Sequence, residues 1–220
     1  MIITKDTKLF GSFAEKAGNN GCRMFNAAFE FHRIDAIYRS FSVASIYDAV
    51  QAARTLDFSG FAITMPFKEE VLEYLNELSP EVQEIGACNT AVNDGEGRFK
   101  GYNTDYMAAR ETLIYYFGEE PDNMDPPFYI LGNGGYSKAV QYAAKSIGLP
   151  FTIIERGDWD EIWDIKNSTL YNCTPVENIK VHDSNEFIDC IVTTDSGYEL
   201  SLIQAGHQFK LYTGKDFPIK

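Results

Sequence analysis

The sequence predicts an α/β fold with two domains, the first built on a mainly parallel sheet and the second a short βαβ unit. Two observations support this prediction. Strand-like and helix-like segments alternate through the first half of the chain, and that order produces a parallel sheet covered by helices. After an acidic, proline-containing linker at 118–127, an apolar strand, a glycine-rich turn and a helix follow in direct succession. We place the first domain at 1–103 and the second at 104–197.

Hydrophobic periodicity locates the elements of the first domain. Apolar residues recur at helical spacing in the predicted helices, and Ser45 is a favourable N-cap for one of them. Predicted strands lie at 7–13, 36–43, 58–66, 86–94 and 97–103, and predicted helices lie at 22–33, 45–56 and 68–78.

The second domain begins with a long predicted helix at 104–117. Two strands, at 128–132 and 151–156, flank a helix at 133–148 and complete a βαβ unit. The amphipathic segment 198–214 is expected to form a final helix that packs back against the first domain.

The composition is that of a globular chain of 220 residues, with 45% hydrophobic and 14% aromatic residues. A formal net charge of −13 disfavours binding to nucleic acid or to an anionic membrane. No apolar run approaches the ~20 residues that span a bilayer, and the first residues do not resemble a secretory signal. We therefore expect a cytoplasmic protein with a small-molecule substrate, as a monomer or homodimer.

The four cysteines and three histidines are scattered along the chain and form no CxxC pair or metal-ligand spacing. This distribution predicts neither a metal site nor a dense disulfide framework. Thiols in a reducing compartment are the simpler interpretation.

A glycine-rich turn follows the strand at 128–132 and contains Gly132, Asn133, Gly134 and Gly135. Glycines let the backbone approach a pyrophosphate, and the N-terminus of the next helix attracts its charge. The turn therefore favours dinucleotide binding, although a purely steric glycine turn is the alternative.

The next strand ends at Glu155 and Arg156. An acidic residue at this position binds the ribose hydroxyls of NAD, whereas an arginine receives the 2′-phosphate of NADP. Because both are present, the sequence leaves the choice of cofactor open at this point.

Three polar residues stand at connections of the first predicted sheet: Lys68, Asn89 and Asp105. Each alone could be a surface lysine, a turn residue or a helix cap. Together they favour a polar pocket in which Lys68 and Asp105 share a proton with a substrate hydroxyl.

Six segments occur in one order along most of the chain: ITMPFKEEV, GACNTAVND, GYNTDYMAA, YILGNGGYSKAV, YNCTPV and IQAGHQFKLYTG. They resemble the motifs of the shikimate dehydrogenase family. The resemblance implies an α/β substrate domain followed by a Rossmann-like dinucleotide-binding domain. It also implies reversible reduction of 3-dehydroshikimate to shikimate with NADPH, in the chorismate pathway of aromatic amino-acid biosynthesis.

The resemblance assigns roles to individual positions. Lys68 and Asp105 match the catalytic pair, and the substrate-binding residues implied are Thr64, Asn89 and Gln204. The cofactor-binding residues implied are Gly132, Asn133, Gly134, Gly135, Glu155, Arg156, Asn172, Thr174 and Gly197.

The chain departs from the family pattern at three places. Asn19 and Gly21 stand where the family has a serine pair for the substrate carboxylate, so Asn19 and the upstream Ser12 become the candidates. Glu155 would repel a 2′-phosphate, so NADP is expected with NAD as an alternative. The stretch that contains Asn19 and Gly21 resembles a divergent, shikimate dehydrogenase-like subgroup. The second domain is also shorter than in the family. A non-catalytic or weakly active protein that binds a polyhydroxylated ring acid or a nucleotide is therefore the alternative function.

Overall fold

The computed structural model describes residues 2–121 and 126–218, so part of the predicted linker, residues 122–125, lies outside the described residues. The fold is α/β, as the sequence predicted. The chain divides into two compact units, one formed by 1–104 with 205–220 and the other by 105–204.

The first unit contains a six-stranded sheet. Its strands are β1 (Lys8–Ala14), β2 (Ala36–Ser42), β3 (Phe58–Ile63), β4 (Glu77–Leu78), β5 (Thr90–Asn93) and β6 (Phe99–Tyr102). They lie in the order β2-β1-β3-β5-β6-β4. The β1 strand pairs in parallel with β2 and β3, while β5 is antiparallel to both of its neighbours.

Helices of the first unit begin where the sequence supplies a start signal. They are α1 (Asn20–Phe31), α2 (Ile46–Thr55) and α3 (Pro80–Ile85). The Ser45 hydroxyl accepts a hydrogen bond from the Asp48 amide at 3.2 Å, which confirms Ser45 as the N-cap of α2. Pro80 occupies the first turn of α3, where its missing N–H costs nothing.

The helix predicted at 68–78 is wrong over most of its length. Only Glu70–Tyr74 is helical, as a 3-10 helix, and Glu77–Leu78 is the edge strand β4. The Asn76 amide donates to the Phe99 carbonyl at 2.9 Å, so pairing with β6 replaces the helical hydrogen bonds that local propensity favours. The sequence interpretation also missed α3.

The second unit contains a four-stranded parallel sheet. Its strands are β7 (Phe128–Leu131), β8 (Thr152–Ile154), β9 (Thr169–Asn172) and β10 (Glu186–Asp189), in the order β10-β9-β7-β8. Its helices are α4 (Thr104–Phe117), α5 (Gly135–Ser146) and a 3-10 helix (Arg156–Asp164). A final helix, α6 (Asp195–Thr213), runs on into the segment that belongs to the first unit.

The sequence interpretation missed β9 and β10, because each contributes only four residues. All four residues of β9 are buried, whereas in β10 only Ile188 and Asp189 are. A short strand buried on both faces, such as β9, carries no alternation of polar and apolar residues and so gives little periodic signal.

Candidate functional site

Three predicted site residues of the first unit are brought together by backbone hydrogen bonds at one end of β3. The Thr64 amide donates to the Phe13 carbonyl at 3.1 Å, just beyond the last residue of β3. The Ile63 amide donates to the Asn89 carbonyl at 2.8 Å. The Cys88 amide donates to the Lys68 carbonyl at 2.8 Å. Thr64 is exposed, Lys68 is half-buried and Asn89 is buried.

The Asn89 side chain is fixed by its carbonyl oxygen. Its Oδ1 accepts hydrogen bonds from the Thr104 amide at 2.8 Å, the Thr104 hydroxyl at 3.1 Å and the Thr90 hydroxyl at 2.9 Å. Because the network uses Oδ1 alone, it sets the orientation of the whole amide group, including the Nδ2 donor. Asn89 is only 3% exposed.

A second glutamine of α6 joins this network. The Gln208 amide group donates to the Thr90 hydroxyl at 2.7 Å and to the Asn89 carbonyl at 3.4 Å, and the residue is 2% exposed. Gln204, the residue implied by the resemblance, lies one helical turn earlier, is half-buried and falls in the second unit. Gln208 was missed, although the spacing of four between the two glutamines places both on one helix face.

The loop that replaces the serine pair is built around a tyrosine. Asn19 flanks α1, is exposed and makes no side-chain capping hydrogen bond. A Cβ at Gly21 would lie 2.9 Å from Tyr38 Cε1 and 3.3 Å from its hydroxyl oxygen, so the Tyr38 ring occupies the space beside position 21. Burial raises the pKa of the Tyr38 phenol far above its usual value, and the Ser12 side chain partly offsets this rise. The sequence interpretation missed Tyr38, because its position beside Gly21 depends on contacts between separate elements and leaves no mark in the local sequence.

In the second unit, the glycine-rich turn has the geometry that its sequence predicts. Gly132 has a φ of +94°, which favours glycine, and its amide donates to the Ile154 carbonyl at 2.9 Å. Gly134 is the extended N-cap of α5, which begins at Gly135. The Ser137 hydroxyl donates to the Gly132 carbonyl at 2.7 Å and ties the helix to the turn. The backbone amides at this helix start suit an anionic group.

Glu155 lies beside the turn, directly after β8. The Asn133 side chain donates to Glu155 Oε1 at 2.9 Å, and Gln141 donates to Asn133 Oδ1 at 3.1 Å. The carboxylate is therefore held next to the glycine turn. Arg156 begins the following 3-10 helix, and its side chain lies outside the described part of the structure.

Asn172 and Thr174 lie at the end of β9, against the glycine turn. Asn172 Oδ1 accepts from the Thr174 amide at 2.9 Å and from its hydroxyl at 2.8 Å. Asn172 Nδ2 donates to Asp189 Oδ1 at 2.9 Å. A Cβ at Gly132 would lie 2.5 Å from Thr174 Cγ2, so the loop and the turn are in direct contact. Asp189, which orients Asn172, was missed by the sequence interpretation.

Close packing against the backbone explains why position 197 is a glycine. A Cβ there would lie 2.0 Å from the Ile191 carbonyl oxygen. Its amide donates to the Thr194 hydroxyl at 3.1 Å in the first turn of α6.

Asp105 is the first residue of the second unit and lies in the first turn of α4, 7% exposed. Two tyrosines of this unit, Tyr136 and Tyr171, share a hydrogen bond of 2.8 Å between their hydroxyls. Burial raises the pKa of both phenols and of the Cys173 thiol, and the Asp105 charge adds a smaller increase to each. Asp105 thus borders a buried group of weak acids.

Within residues 2–121 and 126–218, no group of three or more His, Cys, Asp or Glu side chains is placed to hold a metal ion. No described helix is long and apolar enough to cross a membrane.

Comparisons with known proteins point to one family. The family model for the shikimate dehydrogenase substrate binding domain matches residues 20–91. A shikimate dehydrogenase-like protein of Haemophilus influenzae is 35% identical over 147 residues, which are 67% of this chain and 52% of that protein. A solved structure of a shikimate 5-dehydrogenase-like protein superposes with a TM-score of 0.82 at 26% identity, covering 100% of this chain and 96% of that one. All three comparisons support the shikimate dehydrogenase family.

Two further members of the shikimate dehydrogenase family show the same likeness. The NADP(+) shikimate dehydrogenase of Pyrococcus furiosus is 36% identical over 148 residues, which are 66% of this chain and 53% of that protein. The Thermus thermophilus shikimate 5-dehydrogenase, solved with NADP(H) and shikimate, shares the fold with a TM-score of 0.79 at 22% identity, covering 95% of this chain and 94% of that one. The sequence matches span about half the length of the curated relatives.

Proposed function

We propose that the chain catalyses the reversible, NADP-dependent reduction of 3-dehydroshikimate, or a closely similar ring ketone, to shikimate. When bound, a nicotinamide cofactor would supply the hydride for the carbonyl carbon, while the carbonyl oxygen takes up a proton. Lys68 and Asp105 are the proposed proton-handling pair for that oxygen. Thr64, Asn89 and Gln204 are proposed to bind the ring substituents.

The observation that carries the proposal is the turn at 132–135, with a positive φ at Gly132 and the start of α5 at Gly135. A bound pyrophosphate would account for both features of the turn. It needs a glycine backbone that it can approach closely and the free amides of a helix N-terminus. Asn172 and Thr174 against the turn extend the same surface.

Support on the substrate side comes from the tie between Lys68 and Asn89. The backbone of Lys68 is hydrogen-bonded to Cys88, the residue that precedes Asn89 in the sequence. The side-chain amide of Asn89 is oriented by its hydrogen bond with Thr104. A cationic donor and an oriented amide at one strand end fit a polyhydroxylated substrate, since each buried hydroxyl needs a hydrogen-bond partner.

For the cofactor, NADP is proposed with NAD as the alternative. One of the curated relatives named above is an NADP(+) shikimate dehydrogenase. Glu155 beside the turn is the feature that favours NAD, because its carboxylate suits ribose hydroxyls and repels a 2′-phosphate.

The test is oxidation of shikimate and of quinate, each with NADP and with NAD, followed by the absorbance of the reduced cofactor. Lys68→Ala should lower turnover by at least ~100-fold, the lower range for a general acid–base group. Lys100→Ala is the matched control, because Lys100 pairs with Glu77 at the edge of the first sheet and has no proposed role. Turnover unchanged by Lys68→Ala would remove this lysine from the mechanism.

A non-catalytic or weakly active binding protein is the second candidate, and one observation favours it. The loop has Asn19 and Gly21 in place of the family's serine pair, and the Tyr38 ring occupies the space beside Gly21. Under this alternative, folded protein is silent in all four assays but is protected thermally by NADPH, NADH or shikimate, since a ligand of the native state raises its apparent stability.

A further inference from the structure

Two cysteines that are 17 positions apart in sequence lie side by side in the second unit. The strands β9 and β10 are parallel, with Asn172 opposite Asp189. The Cys190 amide donates to the Asn172 carbonyl at 3.2 Å as part of this pair, and each cysteine directly follows the last residue of its strand. Neighbouring strands lie about 4.8 Å apart, which is within the ~4.4–6.8 Å Cα separation that a disulfide spans.

Both side chains lie on the same face of the sheet. Alternate residues of a strand share a face, so Cys173 lies on the face of Tyr171 and Cys190 on that of Ile188. All four belong to, or pack against, one apolar cluster. After burial, which is the main cause, both thiols contribute to raising the pKa of Tyr171, and Cys190 contributes to raising that of Cys173. The shared apolar cluster places the two cysteine side chains in one part of the second unit.

We propose that Cys173 and Cys190 form a reversible dithiol–disulfide modification site that reacts with low-molecular-weight disulfides. Both residues are present as thiols in this structure. The inference does not depend on the proposed function, because it uses only the pairing of β9 with β10.

Exposure sets the order of the two reaction steps. Cys190 is half-buried and Cys173 is 9% exposed, so Cys190 meets the external disulfide first. Its thiolate attacks one sulfur, the external S–S bond breaks, and one thiol leaves. The Cys173 thiol, whose pKa is raised by burial, then loses its proton and attacks the Cys190 sulfur, and the second external thiol leaves. The two protein thiols lose two electrons, the external disulfide gains them, and the two protons go to the released thiols.

The test uses the unmodified chain and oxidised glutathione as the probe. After oxidation, remaining thiols are alkylated and the protein is digested with trypsin, which cleaves at Lys180 and separates the two cysteines. The expected result is one disulfide that joins the peptides of Cys173 and Cys190, reversed by a thiol reductant. The thermal midpoint should rise on oxidation, because the bond restricts the unfolded chain.

Two results would overturn the proposal: alkylation of both cysteines after oxidation, or Cys190 recovered only as a glutathione adduct. Cys173→Ser provides the matched control, since it should leave a lasting adduct on Cys190. Cys22 and Cys88 serve as internal references, because both lie in the first unit and in apolar clusters other than that of Cys173 and Cys190.

Discussion

Both the backbone conformation and a close contact favour glycine at position 132. Its φ is +94°, and a Cβ would lie 2.5 Å from Thr174 Cγ2. We expect Gly132→Ala to lower the free energy of unfolding by about 1–3 kcal/mol, measured by urea denaturation, because the strain and the clash add. Gly134→Ala is the control, since its φ is −87° and nothing lies within 4 Å of an added Cβ.

A second change separates the two causes at Gly132. Thr174→Ser removes Cγ2 but keeps the hydroxyl that donates to Asn172. The double variant should recover the part of the loss that the clash causes, while the backbone strain remains. Equal stability of Gly132→Ala and Gly134→Ala would contradict the argument.

Asn89 is the residue on which the hydrogen-bond network of the first unit depends. Asn89→Ala leaves the buried Thr104 amide without its acceptor, so the free energy of unfolding should fall by about 1–3 kcal/mol. Asn19→Ala is the control, because this exposed side chain makes no capping bond. Chemical denaturation of the two variants under one condition makes the comparison, and similar losses from both would refute the role of Asn89.

Among the secondary-structure elements, the N-terminus of α2 is capped by a single side chain, the hydroxyl of Ser45. Ser45→Ala should cost about 1 kcal/mol of stability, because the Asp48 amide loses its acceptor. Ser45→Asp should retain most of it, since a carboxylate also caps and favours the helix N-terminus. Urea midpoints of the two variants and the parent chain provide the measurement, and a loss as large in Ser45→Asp as in Ser45→Ala would argue against capping.

Elements with a strong local signal could be predicted from the sequence, and those that depend on distant partners could not. The α2 helix carries its cap and its apolar spacing in ten residues, and the glycine turn carries its own conformation. Residues 75–78 leave the helical pattern because β6 offers backbone partners, and β9 and β10 are too short to show a period. The same holds for the site: Lys68 and Asn89 follow from motifs, whereas Gln208 and Tyr38 depend on contacts across the fold.

For the whole molecule, buried phenols set the alkaline limit of stability. Burial raises the pKa of Tyr38, Tyr136, Tyr171 and Tyr212 above the ordinary value of 10.0. Below that value both states are protonated and the groups contribute nothing. Above it the unfolded chain releases protons first, so the free energy of unfolding falls by about 1.4 kcal/mol per pH unit for each group. Urea denaturation between about pH 8 and about pH 11 measures this decline.

Tyr212 tests the contribution of one such group. Its buried hydroxyl has no hydrogen-bond partner among the described residues, so Tyr212→Phe should not lower stability at neutral pH and should make the alkaline decline shallower. Tyr115→Phe is the control, because Tyr115 is 84% exposed. An alkaline slope unchanged by Tyr212→Phe, or changed as much by Tyr115→Phe, would contradict the assignment.

The segment after residue 204 supplies Ala205 and Phe209 to the apolar cluster of Phe10, Phe25 and Phe29, and Gln208 to the Asn89 network. During synthesis, every residue of the second unit leaves the ribosome before this segment does. At about 5–20 residues per second, all residues of the second unit are therefore available for folding seconds before those of the first unit. Until then the apolar cluster of the first unit lacks Ala205 and Phe209. A chaperone that binds exposed phenylalanines during translation should thus protect the half of the protein that is made first but finished last.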